Sequence, residues 1–197
     1  MQVVNNKKSI EIQFDEKTWK IIDKKLYSKH LGKIRAYKDK KSLSDLFSVL
    51  DPQVAFSYVC KLLAMKGQFE NELRKKLKER WFDDLVIEAV FARCRTLGFL
   101  NDEREAGLYI KREKRLGKGP RTIERRLMEK SGGTQTLNEA FSEEEQREAI
   151  RELIERRFPD LSLLKTKQRA FRFLQRRGFS EYLIRELIFS GSEPHCW

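Results

Sequence analysis

The most constraining feature of this sequence is a helical hydrophobic pattern that occurs three times. Leu77, Leu127 and Leu174 are separated by 50 and 47 residues, and an aliphatic residue follows each of them ten positions later: Ile87, Leu137 and Ile184. Short helices cannot bury an apolar face alone, so neighbouring units have to stack on one another. The spacing therefore predicts an all-α protein of three tandem three-helix repeats in an elongated, curved array, over residues 53–100, 101–142 and 143–190.

Repeat one shows apolar residues at the helical spacing i, i+3, i+4, i+7. Its three predicted helices carry Phe56, Val59, Cys60 and Leu63, then Phe69, Leu73 and Leu77, then Ile87, Val90, Phe91 and Cys94. Asp83 is a suitable N-cap for the third helix. The repeat pattern is weaker in repeat two, because the third helix there would cover only about residues 135–141.

The first part of the chain, residues 1–52, has a different pattern. Residues 9–14 alternate between apolar and polar side chains, which predicts a short strand, and residues 19–22 would return as a second strand. Residues 24–41 are basic and show no clear period. We expect a small, irregular N-terminal element that could include a short β-hairpin. At the other end, residues 191–197 are expected to form a disordered tail.

Charge and composition narrow the classes of function. The formal net charge is +12, which favours a polyanion or an acidic protein surface as the partner. The N-terminus lacks the apolar segment of a secretory signal. The longest stretch without Asp, Glu, Lys or Arg covers only residues 52–60, whereas a membrane span needs about 20. Three widely spaced cysteines, at positions 60, 94 and 196, are typical of reduced thiols. We expect a cytoplasmic protein that does not enter membranes.

A search for catalytic or metal-binding patterns finds none. The chain has two histidines, His30 and His195, and neither belongs to a cluster with metal-ligand spacing. The stretch 117–120, Gly-Lys-Gly-Pro, does not match a phosphate-binding loop. It fits a helix start better, with Gly119 as N-cap and Pro120 as the first helical residue. The sequence predicts no catalytic, cofactor or metal site, and therefore a protein that is not an enzyme.

The strongest functional signal is a basic stripe on the middle helix of each repeat. In repeat three the basic residues have the spacing i, i+4, i+7, i+11, while Ala170, Phe173 and Leu174 point elsewhere, towards the core. If the repeats stack in parallel, the stripes form one basic track that suits a phosphate backbone or an acidic protein groove. The alternative is a solvated helix face. The track consists of Arg74, Lys78, Lys111, Arg112, Lys118, Arg121, Arg125, Lys165, Arg169, Arg172 and Arg176.

Several of these segments together resemble the RecX family. Residues 97–104, Leu-Gly-Phe-Leu-Asn-Asp-Glu-Arg, with Tyr109, Arg112 and the Gly-Lys-Gly-Pro-Arg-x-Ile stretch at 117–123, are similar to its central signature. Residues 173–180, Phe-Leu-Gln-Arg-Arg-Gly-Phe-Ser, are similar to its closing motif. The resemblance covers about residues 53–190 and agrees with the triple repeat. The chain departs from the family pattern at Glu105 and at Arg126.

The resemblance implies a cytosolic, monomeric regulator of the RecA recombinase in DNA repair. Members of the family bind the RecA–single-stranded DNA filament, lie in its helical groove and limit its extension. A basic array without catalytic groups is compatible with that role. Two other interpretations stay open: a protein that binds nucleic acid directly without sequence preference, and a scaffold whose basic face is only solvated. Affinity for naked single strands would separate the scaffold from the other two.

Overall fold

The computed structural model describes residues 1–133 and 141–189 of the chain. These residues form a three-stranded sheet followed by helices, which confirms the predicted class of a helical repeat protein with a small β-containing N-terminal element. The chain divides into two compact units, Met1–Asp102 and Glu103–Trp197. The predicted third helix of repeat two and the predicted tail fall mainly or wholly outside the described residues.

The N-terminal unit begins with the antiparallel strands β1 (Gln2–Asn5), β2 (Ser9–Phe14) and β3 (Lys17–Asp23). The hairpin of β2 and β3 was predicted, whereas β1 was not, because four residues carry too little alternation. Asp15 and Glu16 have φ angles of 49° and 62°, as a tight hairpin turn requires. One face of the sheet buries Ile10, Ile12 and Ile22 almost completely.

Helices α1 (Leu31–Ala36) and α2 (Lys40–Met65) follow the sheet. The predicted start of the first long helix at residue 53 is wrong, because α2 begins at Lys40, where the Asp39 carboxylate accepts a hydrogen bond from the Ser42 amide. The predicted boundary at 52/53 therefore lies inside a helix. The apolar face also differs: of the predicted set only Val59 is fully buried, and most of the buried residues precede it, namely Leu43, Phe47, Leu50, Val54 and Ala55.

Helix α2 is the one helix in the described part of the chain that is long and apolar enough to cross a membrane by length and composition. Its most apolar window has a mean hydropathy of 1.2. Core helices of globular units have the same property, and α2 packs on α4 and buries six apolar residues in the core of its unit: Leu43, Phe47, Leu50, Val54, Ala55 and Val59. Packing therefore accounts for these buried apolar residues of α2.

Helices α3 (Glu70–Lys78) and α4 (Asp84–Thr96) confirm the other two predicted helices of repeat one. The predicted core residues of both helices are buried, and Asp83 lies at the N-cap of α4, although its side chain makes no capping hydrogen bond. Trp81, which follows α3, has a left-handed backbone with φ 63°. This conformation costs a residue with a side chain roughly 1–2 kcal/mol.

A buried polar network connects the sheet to α2. The Tyr27 hydroxyl donates to Asp51 Oδ1 at 2.5 Å, and Lys20 Nζ lies 2.8 Å from Asp51 Oδ2. Burial and the neighbouring Asp51 carboxylate raise the pKa of Tyr27 well above its usual range. Because all three groups find partners, the buried charge is compensated and the sheet is held in one position on α2.

The C-terminal unit contains most of α5 (Asp102–Arg115) and helices α6 (Pro120–Ser131), α7 (Glu143–Arg157), α8 (Leu164–Arg177) and α9 (Glu181–Phe189). A core cluster of α7, α8 and α9 buries Ile150, Ala170, Leu174 and Ile184 completely. Leu127 on α6 is 1% exposed. Leu127, Ala170, Leu174 and Ile184 are thus buried, as the apolar spacing predicts.

The Gly-Lys-Gly-Pro stretch joins two helix ends in this unit. Gly119 and Pro120 start α6 as predicted. In addition, the Gly119 amide donates to the Arg177 carbonyl oxygen at 2.8 Å, and the Arg121 amide donates to the Gly178 carbonyl oxygen at 3.1 Å. A Cβ on Gly119 would lie 2.4 Å from the Gly178 carbonyl carbon, so only glycine permits this approach. The start of α6 and the end of α8 therefore form a backbone-to-backbone junction.

Candidate partner-binding surface on helices α7 and α8

Helix α8 separates its cations from its apolar residues. Ala170 and Leu174 are 0% exposed, whereas the four predicted cations of this helix are all exposed to solvent. Among the described residues, none of these four cations forms an ion pair, although many other arginines in the unit do. The exposed cations are Lys165, Arg169, Arg172 and Arg176.

Three of these arginines line a concavity together with the end of α7. The concavity has a volume of about 410 Å³ and is lined by Arg157, Phe158, Arg169, Arg172, Phe173 and Arg176. We call this set the arginine concavity. Four guanidinium groups and no carboxylate line it, so its surroundings are strongly positive. Guanidinium groups bind carboxylate and phosphate oxygens in a bidentate manner, which makes an anionic group the natural occupant.

Two phenylalanines hold the concavity in shape. Phe158 and Phe173 contact each other edge to face, with ring centroids 5.5 Å apart. The guanidinium carbon of Arg157 lies 5.0 Å from the centroid of the Phe173 ring. The sequence predicts that Phe173 points towards the core. In the structure it is half-buried and lies among arginines. Aromatic rings between cations are also suitable for stacking on nucleobases.

Arg177, next to the concavity, has a different role. Its guanidinium donates to the Gly117 carbonyl oxygen at 3.0 Å and lies 4.7 Å from the Phe173 ring centroid. Burial and the nearby Arg157 and Arg156 lower the pKa of Arg177. Arg156 and Arg157 are like charges close to Arg177, and a bound anion would reduce the repulsion among them.

The predicted cations of α5 and α6 are largely available to a partner. Lys111, Arg121 and Arg125 are exposed and Lys118 is half-buried, and none of these four has an ion-pair partner in the described residues. Arg112 is different, because its Nη2 lies 3.3 Å from the buried Glu113 carboxylate and its guanidinium carbon lies 5.1 Å from the Tyr109 ring centroid. Arg112 is therefore exposed to solvent but already contacts Glu113 and Tyr109 within its own unit.

The two predicted cations of repeat one are engaged inside their own unit. Arg74 Nη2 lies 2.6 Å from the Glu88 carboxylate, and its guanidinium carbon lies 5.2 Å from the Phe91 ring centroid. Lys78 Nζ lies 3.0 Å from the Asp84 carboxylate. These contacts join α3 to α4, so Arg74 and Lys78 contribute to packing of the repeat. Continuity of the basic track across all three repeats stays a prediction.

Sequence reasoning missed Arg157 and Phe158. Both follow a segment rich in acidic residues, 143–155, which hides the basic character of its end. The available signal was the Arg156-Arg157-Phe158 stretch at the end of that segment. Only the packing of α7 beside α8 shows that this stretch continues the positive surface.

In the ranges 1–133 and 141–189, no group of three or more His, Cys, Asp or Glu side chains is arranged to hold a metal ion. The fold and the surface together define a class: a tandem helical repeat protein with an exposed arginine-rich surface.

Comparison with known proteins identifies the family within this class. Residues 143–188 match a family model described as RecX, third three-helix domain. The chain is 30% identical over 139 residues to the regulatory protein RecX of Syntrophotalea carbinolica, a match that covers 66% of this chain and 91% of that protein. It is 32% identical over 137 residues to the regulatory protein RecX of Deinococcus radiodurans, covering 67% and 65% respectively. The chain belongs to the RecX family, as its motifs suggested.

Solved structures give the same fold. A crystal structure of regulatory protein RecX superposes with a TM-score of 0.63 at 22% identity, covering 96% of this chain and 97% of that one. The RecX structure from Lactobacillus salivarius gives a TM-score of 0.59 at 20% identity and covers 71% of this chain. The arginine concavity lies within the stretch that matches the family model.

Proposed function

We propose that this chain is a non-enzymatic, cytoplasmic regulator of the RecA recombinase that binds the RecA–single-stranded DNA filament as a monomer and limits its extension. The observation that carries the proposal is the arginine concavity on α7 and α8, in a chain whose relatives are named regulatory proteins. Four arginines without a described carboxylate partner provide a binding surface for phosphates or for acidic side chains of the filament.

The physical reason is the state of these cations before binding. A cation that already has an ion-pair partner must give up that contact to bind an anion, whereas an unpaired exposed arginine loses only hydration. Arg169, Arg172 and Arg176 are in the second situation, and three successive turns of one helix present them together. The contact surface extends in our proposal to Lys111, Lys118, Arg121, Arg125 and Lys165.

A second candidate is direct, sequence-nonspecific binding of single-stranded nucleic acid. The position of Phe173 between Arg157 and Arg177 favours it, because aromatic rings among cations are typical of single-strand binding surfaces. Both candidates use the same surface. They differ in whether the protein acts on RecA at ratios far below one molecule per RecA monomer.

The test is the single-stranded-DNA-dependent ATPase rate of RecA, measured while the chain is titrated from low ratios. We expect the unaltered chain to inhibit at those low ratios and the triple variant R169A/R172A/R176A to need at least tenfold more protein. The matched control is K61A/K66A/K75A, which removes the same charge from exposed positions in the other unit. We expect this control to inhibit like the unaltered chain.

Salt dependence provides a second measurement on the same variants. For single strands, each phosphate contact contributes about −0.7 to the slope of log K against log salt concentration. Loss of three contacts in R169A/R172A/R176A should make the slope for naked single-stranded DNA shallower by about 2, with no change in the control. Equal inhibition by the unaltered chain and the arginine variant would refute the role of the concavity. Tight DNA binding without inhibition would favour the second candidate.

A further inference from the structure

The N-terminal unit contains a second concave surface, whose lining includes two tryptophans and two phenylalanines. It has a volume of about 770 Å³ and lies between β3, α2 and the start of α4. We call it the aromatic cleft. Its principal lining residues are Trp19, Lys20, Phe47, Asp51, Trp81 and Leu85. No part of the basic track lies in it.

Trp81 occupies a backbone position that favours glycine. Its amide donates to the Lys78 carbonyl oxygen, and the Phe82 amide donates to that of Leu77. Repeat three makes the same two bonds after α8, where the residue equivalent to Trp81 is Gly178, with φ 88°. The chain thus places a tryptophan where stability alone favours glycine. Strained side chains of this kind occur preferentially where function requires them.

The apolar groups around the cleft are not covered by the unit. Trp81 is 38% exposed, and Leu85, in the first turn of α4, is 86% exposed. Trp19 is half-buried and contacts Phe47 edge to face at 5.9 Å between ring centroids. Tryptophans at the centre of a partly desolvated depression are the residues that most often dominate the energy of protein–protein contacts.

The charges of the cleft exclude a phosphate as its occupant. Asp51 and Asp83 supply two carboxylates, against one ammonium group on Lys20. Lys20 Nζ lies 2.8 Å from Asp51 and 3.7 Å from Asp83, so its charge is already neutralised. The Asp83 side chain is 72% exposed and remains available. Although the protein has a net charge of +12, the carboxylates of this cleft favour a cation.

We propose that the aromatic cleft docks a segment of a protein partner that presents a lysine or arginine beside an apolar side chain. The cation would pair with Asp83 and lie over the indole face of Trp19 or Trp81. The apolar side chain would contact Trp81 and Leu85. The inference rests on the proposed function, since the partner is then the protein component of the filament rather than its DNA. The arginine concavity and the cleft would recognise different components.

The test compares W81G, L85S and D83N for binding to RecA filaments assembled on an oligonucleotide and to the same oligonucleotide alone. Glycine suits the backbone at residue 81, serine replaces an exposed side chain, and Asp83 makes no capping hydrogen bond that asparagine would lose, so all three variants should fold. We expect W81G to weaken filament binding about tenfold or more, as for a central tryptophan. L85S and D83N should have smaller effects. M65A, at an exposed position outside the cleft, is the matched control.

Affinity for the naked oligonucleotide should be unchanged in all four variants. Equal loss of filament and oligonucleotide binding would overturn the inference and assign the cleft to nucleic acid. Unchanged filament binding by W81G and L85S would overturn it while the proposed function stands. Failure of the unaltered chain to bind filaments would overturn the proposed function and this inference together.

Discussion

Replacing Gly119 with alanine tests the backbone junction between the start of α6 and the end of α8. The added Cβ would lie 2.4 Å from the Gly178 carbonyl carbon and 2.4 Å from the Phe179 amide nitrogen. Carbon atoms in favourable contact are about 3.5–4.0 Å apart, so this is a severe overlap. Both obstructing atoms belong to the backbone, and no side chain can rotate away to make room. The two helix ends have to move apart.

The expected loss in the free energy of unfolding follows from the interactions that are broken when the two helix ends move apart. The junction has two backbone hydrogen bonds, of 2.8 and 3.1 Å, and each such bond contributes about 0.5–1.5 kcal/mol. Overpacking in a well-packed region costs about 1–3 kcal/mol more. We therefore expect G119A to lower the free energy of unfolding by about 2–6 kcal/mol.

The matched control is Gly107→Ala. Gly107 lies within α5, and no atom lies within 4 Å of the position its Cβ would take. Alanine is favoured over glycine inside a helix by up to about 1 kcal/mol, so this variant should be slightly more stable than the unaltered chain. The same chemical change is thus expected to have opposite effects at two positions.

The assay is urea unfolding followed by far-ultraviolet circular dichroism and by tryptophan fluorescence. With Trp197 replaced by phenylalanine in every variant, the fluorescence comes from Trp19 and Trp81, which both lie in the N-terminal unit. We expect G119A to shift the circular dichroism transition more than the fluorescence transition. If G119A and G107A unfold at the same urea concentration, the close approach at Gly119 does not contribute to stability and the reasoning is wrong.

Two further predictions concern buried groups. Leu127 is 1% exposed, so L127A should lower the free energy of unfolding by about 2–5 kcal/mol, while M128A, at the neighbouring exposed position, should have little effect in the same denaturation experiment. Cys94 is fully buried, and burial raises the pKa of its thiol to about 11. Below that pH the thiol stays protonated, so mass spectrometry of the native protein alkylated at pH 8 should show modification of the half-buried Cys60 well before Cys94.

The inner faces of most helices were predictable because they depend on local spacing. The predicted core residues of α3 and α4, together with Ala170 and Leu174 of α8 and Ile184 of α9, follow the helical spacing, and the structure buries them. The start of α2 was not predictable by the same reasoning. The first turn of α2 is basic, and Pro52 lies inside the helix. The sequence around Pro52 therefore looks like a helix start, although the helix continues through it.

The arginine concavity was only partly predictable, because it depends on contacts between helices. The stripe on α8 is visible from its spacing, but Arg157 joins it only through the packing of α7. Conversely, Arg74 and Lys78 have the spacing of a free stripe, and their acidic partners belong to the next helix. A single-helix pattern shows where charges lie on that helix, and it does not show which of them are already neutralised.

The Tyr27–Asp51–Lys20 network has a consequence for dissecting this protein. A shortened chain that starts at α2 would remove Tyr27 and Lys20, leaving the Asp51 carboxylate without either partner beside the newly exposed Leu43 and Phe47. Any loss of stability in such a truncated chain would include the cost of leaving Asp51 unpaired. Point variants in the intact chain keep the Asp51 carboxylate paired and are therefore the sound way to study the sheet.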